Sequence, residues 1–220
     1  MKQGKLILVG VPIGNYDDLS PRGLSILKSA KLILCEDTRE SQKLLLNYGI
    51  QTKLISYVGS TQSAVSSAKR EIDAGNDIAF ISDRGMPCIS DPGANLVQSF
   101  RAIGVQVTCI PGASAATTAF ALTGYSGPFV FHGFLGRKTN DIIKTAQKLA
   151  QLNYHTIFFE SPLRMESTLE ALSKVFIGNE ITIARELTKT YEQVITCKID
   201  DYAKYKINFK GECVIIIKAL

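Results

Sequence analysis

The chain has 220 residues, with 25 Lys or Arg against 20 Asp or Glu and a net charge of +5. Apolar residues make up 45% and charged residues 20%, which excludes a disordered chain and leaves roughly 70% of the unfolded surface to be buried in a core. There is no run of about 18 uncharged apolar residues, so no membrane span is expected, and the opening MKQGKLILVG reads as a strand and not a secretory signal. A cytoplasmic location is the default expectation.

In chain order, the apolar runs predict strands at Leu6–Val11, Lys31–Cys35, Lys53–Tyr57, Ile78–Ser82 and Val105–Ile110. Helical patterns fall between them, at Pro21–Ala30, Arg39–Asn47, Ser63–Ala74 and Pro92–Ile103. Strands alternating with helices at this spacing imply a parallel sheet with helical crossovers. ILVGV and IAFIS are apolar throughout, as strands covered on both faces should be. Gly, Pro and Ser then concentrate in IPGASA and TGYSGP, which places a lobe boundary near Gly112–Pro128 and predicts lobes at 1–112 and 113–220.

The second lobe carries helical patterns at Ala113–Leu122, Asp141–Leu152 and Arg164–Val175. Its strands are predicted at Phe129–Phe134, Thr156–Phe159, Ile181–Ala184, Tyr191–Lys198 and Cys213–Lys218. The last three follow one another without a long helix, which implies an antiparallel or mixed sheet. Ser20–Pro21, Asp91–Pro92 and Ser161–Pro162 each read as a helix start, with an oxygen to accept an orphan amide and a proline at the first turn.

The five cysteines form no C-x-x-C pair, and Cys35, Cys109 and Cys213 lie in apolar runs that imply buried, inert thiols. His132 and His155 do not stand at ligand spacing, so no metal site is expected. Neither a P-loop nor G-x-G-x-x-G nor G-x-S-x-G occurs, which argues against phosphate-cradling, standard dinucleotide and serine-hydrolase chemistry. Three loops rich in Gly and Pro follow the carboxyl ends of predicted parallel strands: GVPIGN (10–15), SDRGMPCISDPG (82–93) and PGASA (111–115). That edge is where open α/β sheets bind ligands. Glu36 and Asp37 suit acid–base work only if the strand before them has ended, because neighbours on a strand face opposite ways. The bland alternative is an ion pair between Asp37 and Arg39.

The string VPIGNYDDLSPRGLSILKSAKLILCEDTRESQKLLLNYGI resembles the opening of the bacterial small-subunit ribosomal RNA methyltransferase I family, within the tetrapyrrole methylase superfamily. ISDRGMPCISDPG, IPGASA, FHGFLGRK, FFESPLR, ARELTKTYE and GECVIIIK are similar to the family's motifs and stand in its order. The resemblance implies an α/β protein of two lobes, with a parallel sheet in the N-terminal lobe and a mixed sheet in the C-terminal one. It implies S-adenosylmethionine in the cleft between them, a homodimer, and methylation of a cytidine ribose 2′-hydroxyl in 16S ribosomal RNA, on naked RNA or in the 30S subunit. The alternatives are methylation of a tetrapyrrole or other small acceptor, and a non-catalytic RNA- or ribosome-binding paralogue.

Carried onto this chain, the resemblance gives Pro12, Ser82, Asp83, Gly85, Ile89, Ser114 and Ala115 to the cofactor from the first lobe and its boundary. From the second lobe it gives Phe159, Glu160, Arg185, Glu186, Leu187 and Thr188. Arg84, Met86 and Cys88 stand where the family usually carries small residues or Thr. Methyl transfer to a hydroxyl is an in-line displacement that needs alignment and removal of a proton. Asp37, Asp83 and Glu160 are the candidate bases, and Arg39, Arg137 and Lys138 the candidate RNA contacts.

Overall fold

A computed structural model describes residues 3–58 and 62–220. The chain divides into two compact units, Met1–Ser114 and Ala115–Leu220.

The first unit holds five parallel strands: β1 (Leu6–Val9), β2 (Leu32–Cys35), β3 (Leu54–Ser56), β4 (Ile78–Ile81) and β5 (Val107–Ile110). Their order is β3-β2-β4-β1-β5, and every neighbouring pair runs parallel. Helices α1 (Pro21–Ser29), α2 (Thr38–Asn47), α3 (Gln62–Asp73) and α4 (Ala94–Ala102) make the crossovers. The two-residue period of the strands sorts their side chains onto two cores. Ile7, Val9, Ile33, Ala79 and Ile81 pack with Leu27 of α1 and Leu44 and Leu45 of α2. Leu6, Leu32, Leu34, Ile78 and Phe80 pack with Ala64, Ala68 and Ile72 of α3 and with Leu96 and Phe100 of α4. A sheet buried on both faces is why these strands read as continuous apolar runs.

The second unit holds β6 (Phe129–Phe134), β7 (His155–Glu160), β8 (Glu180–Arg185), β9 (Gln193–Lys198) and β10 (Cys213–Ile217), with α5 (Ala115–Thr123), α6 (Thr139–Ala150) and α7 (Met165–Ser173). The order is β6-β7-β10-β8-β9. β6 and β7 are parallel, whereas β10 lies antiparallel between β7 and β8, and β9 is antiparallel to β8. The sheet is therefore mixed. Phe158, Ile181, Ile183, Ile215 and Ile217 face α6 and α7. Their neighbours Ile157, Thr182, Ala184 and Ile216 are equally buried and lie on the other face.

Three expectations need correction. Ser20 does cap α1, accepting the Gly23 amide at 3.0 Å, but Asp91–Pro92 and Ser161–Pro162 start no helix. α4 begins after Gly93, whose φ of +125° puts a turn where the helix was expected, and α7 begins after Arg164. The Asp91 carboxylate is used by Ser82 instead, and the Ser161 carbonyl accepts the Arg164 amide in a turn at 2.9 Å. Cys35 and Cys213 are buried as expected, but Cys109 is exposed, because β5 is an edge strand. His155 stays in the protein fabric: its Nδ1 accepts the Ala219 amide at 3.2 Å, and its Nε2 donates to the Ser126 carbonyl at 3.0 Å.

Candidate cofactor and active site

In the first unit, the carboxyl ends of β1, β2, β4 and β5 carry the loops that the sequence singles out. Past Val9, the chain is tied first to the end of β5 and then to the loop after β4. Gly10 donates to the Ile110 carbonyl at 3.0 Å and Val11 to the Gly85 carbonyl at 2.9 Å, while Gly85 returns a bond to Pro12 at 3.3 Å. Gly10 and Gly112 lie backbone to backbone. A Cβ on Gly112 would stand 2.6 Å from the Gly10 carbonyl carbon, so only glycine permits this approach. Met86 is built into the junction, its sulfur accepting the Gly112 amide at 3.2 Å.

The loop after β4 is wound tightly. Gly85, Cys88, Ser90 and Gly93 all have positive φ, and a Cβ on Gly93 would enter the Phe80 ring. Non-glycine residues in this region cost energy and persist only where the surroundings over-determine them. The result is a rigid loop that leaves Ile89 45% exposed. Ser82 is fully buried beneath it, its hydroxyl bonded to the Arg84 carbonyl at 3.1 Å and to the Asp91 carboxylate.

Because β2 and β4 are neighbours, with Cys35 opposite Ile81, the residues just past them meet. Asp83 Oδ1 accepts the Asp37 amide at 3.0 Å, and the Asp83 amide donates to the Glu36 carboxylate. The strand has ended at Cys35, so Glu36 and Asp37 no longer alternate across a sheet. Asp37 caps α2. Its carboxylate takes the Arg39 amide at 2.8 Å and an Arg39 ion pair at 2.7 Å, which hold its pKa down at about 2. Asp83 goes the other way: burial raises it, and the Asp37 and Glu40 charges add to that. Burial and the Asp83 charge also raise Glu36. Asp91 is pushed up to about 6 by burial and by Glu36. The site thus has carboxylates tuned in opposite directions within one loop cluster. Ser114 and Ala115 sit at the junction into α5, Ala115 being its first residue.

In the second unit, β7 and β8 both run antiparallel to β10, so their carboxyl ends share one edge, with Cys213 opposite both Glu160 and Arg185. Glu160 is only 2% exposed. Its carboxylate accepts the Ser161 amide at 2.7 Å and the Thr168 hydroxyl at 2.7 Å, and pairs with Arg164 at 2.6 Å. Both oxygens are therefore engaged in holding the start of α7. Phe158 is fully buried and Phe159 half-buried on the opposite face, stacked edge-on against Phe131 and Phe134. Glu186 and Thr188 both adopt positive φ. The Glu186 amide donates to the Glu212 carbonyl, and the Glu186 carboxylate takes the Glu212 amide and Lys189, each at 2.9 Å. Burial works against that charge, but these partners hold its carboxyl below the ordinary value. Leu187 is buried.

Of the basic candidates, Arg39 is exposed but committed to Asp37, while Arg137 and Lys138 are exposed between β6 and α6. The sequence reading passed over Glu36 as a partner of Asp83, and over Asp91 as a buried acid. The strand order is the signal that joins them, and it is not local in sequence. Among the described residues, no group of three His, Cys, Asp or Glu is placed to hold a metal ion. No helix among them is long and apolar enough to cross a membrane.

A parallel sheet ending in interlocked Gly-rich loops, followed by a mixed sheet, defines a class shared with known proteins. The family model for tetrapyrrole (corrin/porphyrin) methylases matches residues 5–203. Solved structures agree in fold. A cobalt precorrin-4 methyltransferase superposes with a TM-score of 0.70 at 16% identity, over 97% of this chain and 94% of that one. The uroporphyrin-III C-methyltransferase of Thermus thermophilus gives 0.65 at 16% identity, over 98% and 92%. Closer in sequence are proteins named ribosomal RNA small subunit methyltransferase I. The one from Bacillus subtilis is 38% identical over 98% of this chain and 75% of its own length. Those from Thermotoga maritima and Mesomycoplasma conjunctivae are 40% and 42% identical, over 90% and 97% of this chain and 90% and 91% of their own lengths. The chain belongs to the ribosomal RNA small subunit methyltransferase I family, on the tetrapyrrole methylase fold.

Proposed function

We propose that this protein methylates a cytidine ribose 2′-hydroxyl of 16S ribosomal RNA, with Asp83 as the proton acceptor. The coarser activity is that of its family: an S-adenosylmethionine-dependent methyltransferase of small-subunit ribosomal RNA. When bound, S-adenosylmethionine supplies a methyl group on a cationic sulfonium.

The residues present fit such a group. Its cationic parts suit the carboxylates of Glu36, Asp83 and Asp91, which burial has left poorly solvated. Its ribose and adenine suit backbone groups on rigid Gly and Pro loops. We assign Pro12, Ser82, Asp83, Gly85, Ile89, Ser114 and Ala115 to it, together with Phe159 and Arg185, Glu186, Leu187 and Thr188. Glu160 supports it by fixing the chain that follows β7, through Ser161, Arg164 and Thr168. Rigid loops reduce the freedom lost on binding and keep the reacting atoms aligned.

One observation carries the choice of base. Asp83 and Asp37 share a hydrogen bond, yet only Asp83 has a raised proton affinity. Its Oδ1 holds the Asp37 amide, and Oδ2 is the atom that would take the hydroxyl proton. Asp37, held at about 2, is a weak base whose work is to cap α2 and anchor Arg39. Glu160 has no oxygen to spare. Arg39, Arg137 and Lys138 are offered to RNA phosphate. We further propose that the protein is cytoplasmic and acts as a homodimer on the 30S subunit. The test is methyl transfer from labelled S-adenosylmethionine to undermethylated 30S subunits, with nuclease mapping of the product. Label at a cytidine 2′-oxygen supports the reading; label on a base or on protein refutes it.

A further inference from the structure

Arg185 is a buried cation, 8% exposed, at the last position of β8. Its Nη1 donates to the Tyr191 carbonyl at 2.7 Å, and its Nε donates to the Lys210 carbonyl. One guanidinium thus ties two surface segments to the sheet edge. The turn between Arg185 and Tyr191 is held in the costly left-handed region at Glu186 and Thr188, and the Thr188 amide is locked by Glu192 at 2.6 Å. On the other side, a Cβ at Gly211 would strike the Glu186 carboxylate. Both segments are fixed in backbone.

What they present is nonetheless left in water. Tyr191 is 74% exposed. From Lys206 to Lys210 the side chains alternate: Ile207 and Phe209 pack on the core, while Lys206, Asn208 and Lys210 point outward. Gln193 of β9 holds this extended segment through the Lys206 carbonyl and the Asn208 amide. Neither the Lys206 nor the Lys210 ammonium has an ion-pair partner among the described residues, whereas Lys189, Lys204 and Lys218 are each paired. An aromatic ring and unpaired cations on a rigid support match the chemistry that binds single-stranded nucleic acid, where rings stack on bases and lysines meet phosphates.

We propose that Tyr191, Lys206 and Lys210 form a platform for single-stranded RNA, with Tyr191 stacking on an unpaired base and Arg185 as the positioning residue. This rests on the reading of the protein as a ribosomal RNA methylase. It adds a substrate contact that none of Arg39, Arg137 or Lys138 supplies, because those offer charge without a ring.

The test compares the wild-type protein with Tyr191→Ala, Tyr191→Phe and the double variant Lys206→Glu/Lys210→Glu. Each is titrated with a fluorescein-labelled single-stranded RNA of about 12 nucleotides, and with its duplex, across a salt series. Tyr191→Ala should bind the single strand about tenfold more weakly, Tyr191→Phe should restore it, and the duplex should be little affected. The double variant should lower the salt slope by about 1.4, since each single-strand phosphate contact contributes roughly 0.7. Calorimetric binding of S-adenosylmethionine should be unchanged, and the KM for 30S subunits should rise more than kcat falls. Single-strand binding equal in all four proteins, or lost equally for strand and duplex, overturns the platform while 30S methylation by the wild type keeps the enzyme reading. A wild type that methylates no 30S subunit overturns the enzyme reading instead.

Discussion

Asp83 Oδ1 accepts the backbone amide of Asp37 at 3.0 Å, so two acids from separate loops are locked together while their proton affinities diverge. Arg39 holds the Asp37 carboxyl at about 2, and burial raises Asp83. The same residue type therefore carries two proton affinities at one place, set by what each carboxylate faces.

Asp83→Asn keeps an oxygen to accept the Asp37 amide but cannot take a proton. Methyl transfer to 30S subunits should fall about 10²–10⁴-fold, with S-adenosylmethionine binding within a few-fold of wild type. Asp37→Asn keeps the helix cap and should retain transfer within roughly an order of magnitude. Equal loss in both variants, or full activity of Asp83→Asn, would remove Asp83 as the base.

The raised Asp83 also sets the acid limb of the pH profile. Transfer requires the ionised form, so kcat/KM should climb with pH and level off above the ordinary carboxylate range. A wild-type profile already flat at the pH where a free aspartate ionises would contradict the assignment.

Asp91 makes a stability prediction of definite sign. Its folded pKa of about 6 lies above its unfolded value of 3.8, so the folded state binds the extra proton between them. Stability from this group is present below about pH 4 and lost as pH rises through about 6. Partial exposure discounts the full linkage value, leaving a loss of about 1–2 kcal/mol. Relative to wild type, Asp91→Asn should gain stability from pH 4 to 6 and hold that gain above it, read from urea midpoints. A constant difference across that range would show that Asp91 titrates normally.

Thr168→Val removes the hydroxyl that donates to the buried Glu160 carboxylate at 2.7 Å. A buried charged acceptor left short of a donor should cost about 1–3 kcal/mol of unfolding free energy, by denaturant titration. The loss should appear in stability before it appears in kcat. An unchanged midpoint would mean that the carboxylate is satisfied without Thr168.

Gly112→Ala puts a methyl group 2.6 Å from the Gly10 backbone. The loops after β1 and β5 must part, so S-adenosylmethionine binding should weaken by tenfold or more in calorimetry while far-UV circular dichroism stays native. Binding unaffected by this change would separate the glycine junction from the cofactor site.

Among the described residues, every strand and α-helix was legible in the sequence to within a few residues, whereas the short 3-10 helices Tyr16–Asp18 and Ile199–Lys204 were not. ILVGV and IAFIS announce strands buried on both faces, and Ser20–Pro21 announces a helix start, because each signal depends only on neighbours in the chain. Asp91–Pro92 carried the same signal and misled. The cap was spent on Ser82 in a tight loop, and the helix waited for Gly93.

Periodicity and the Gly and Pro loops were enough to specify alternating elements and to point at one edge of the first sheet. They left Asp37, Asp83 and Glu160 equivalent as bases. The order β3-β2-β4-β1-β5 is what separates the first two, since it sets β2 beside β4 and brings Glu36, Asp37 and Asp83 together across 46 residues of chain. Packing of α7 against β7 then withdraws Glu160 by giving both its oxygens partners. Proton affinity depends on burial and on charges within a few ångströms, and those neighbours come from distant parts of the chain.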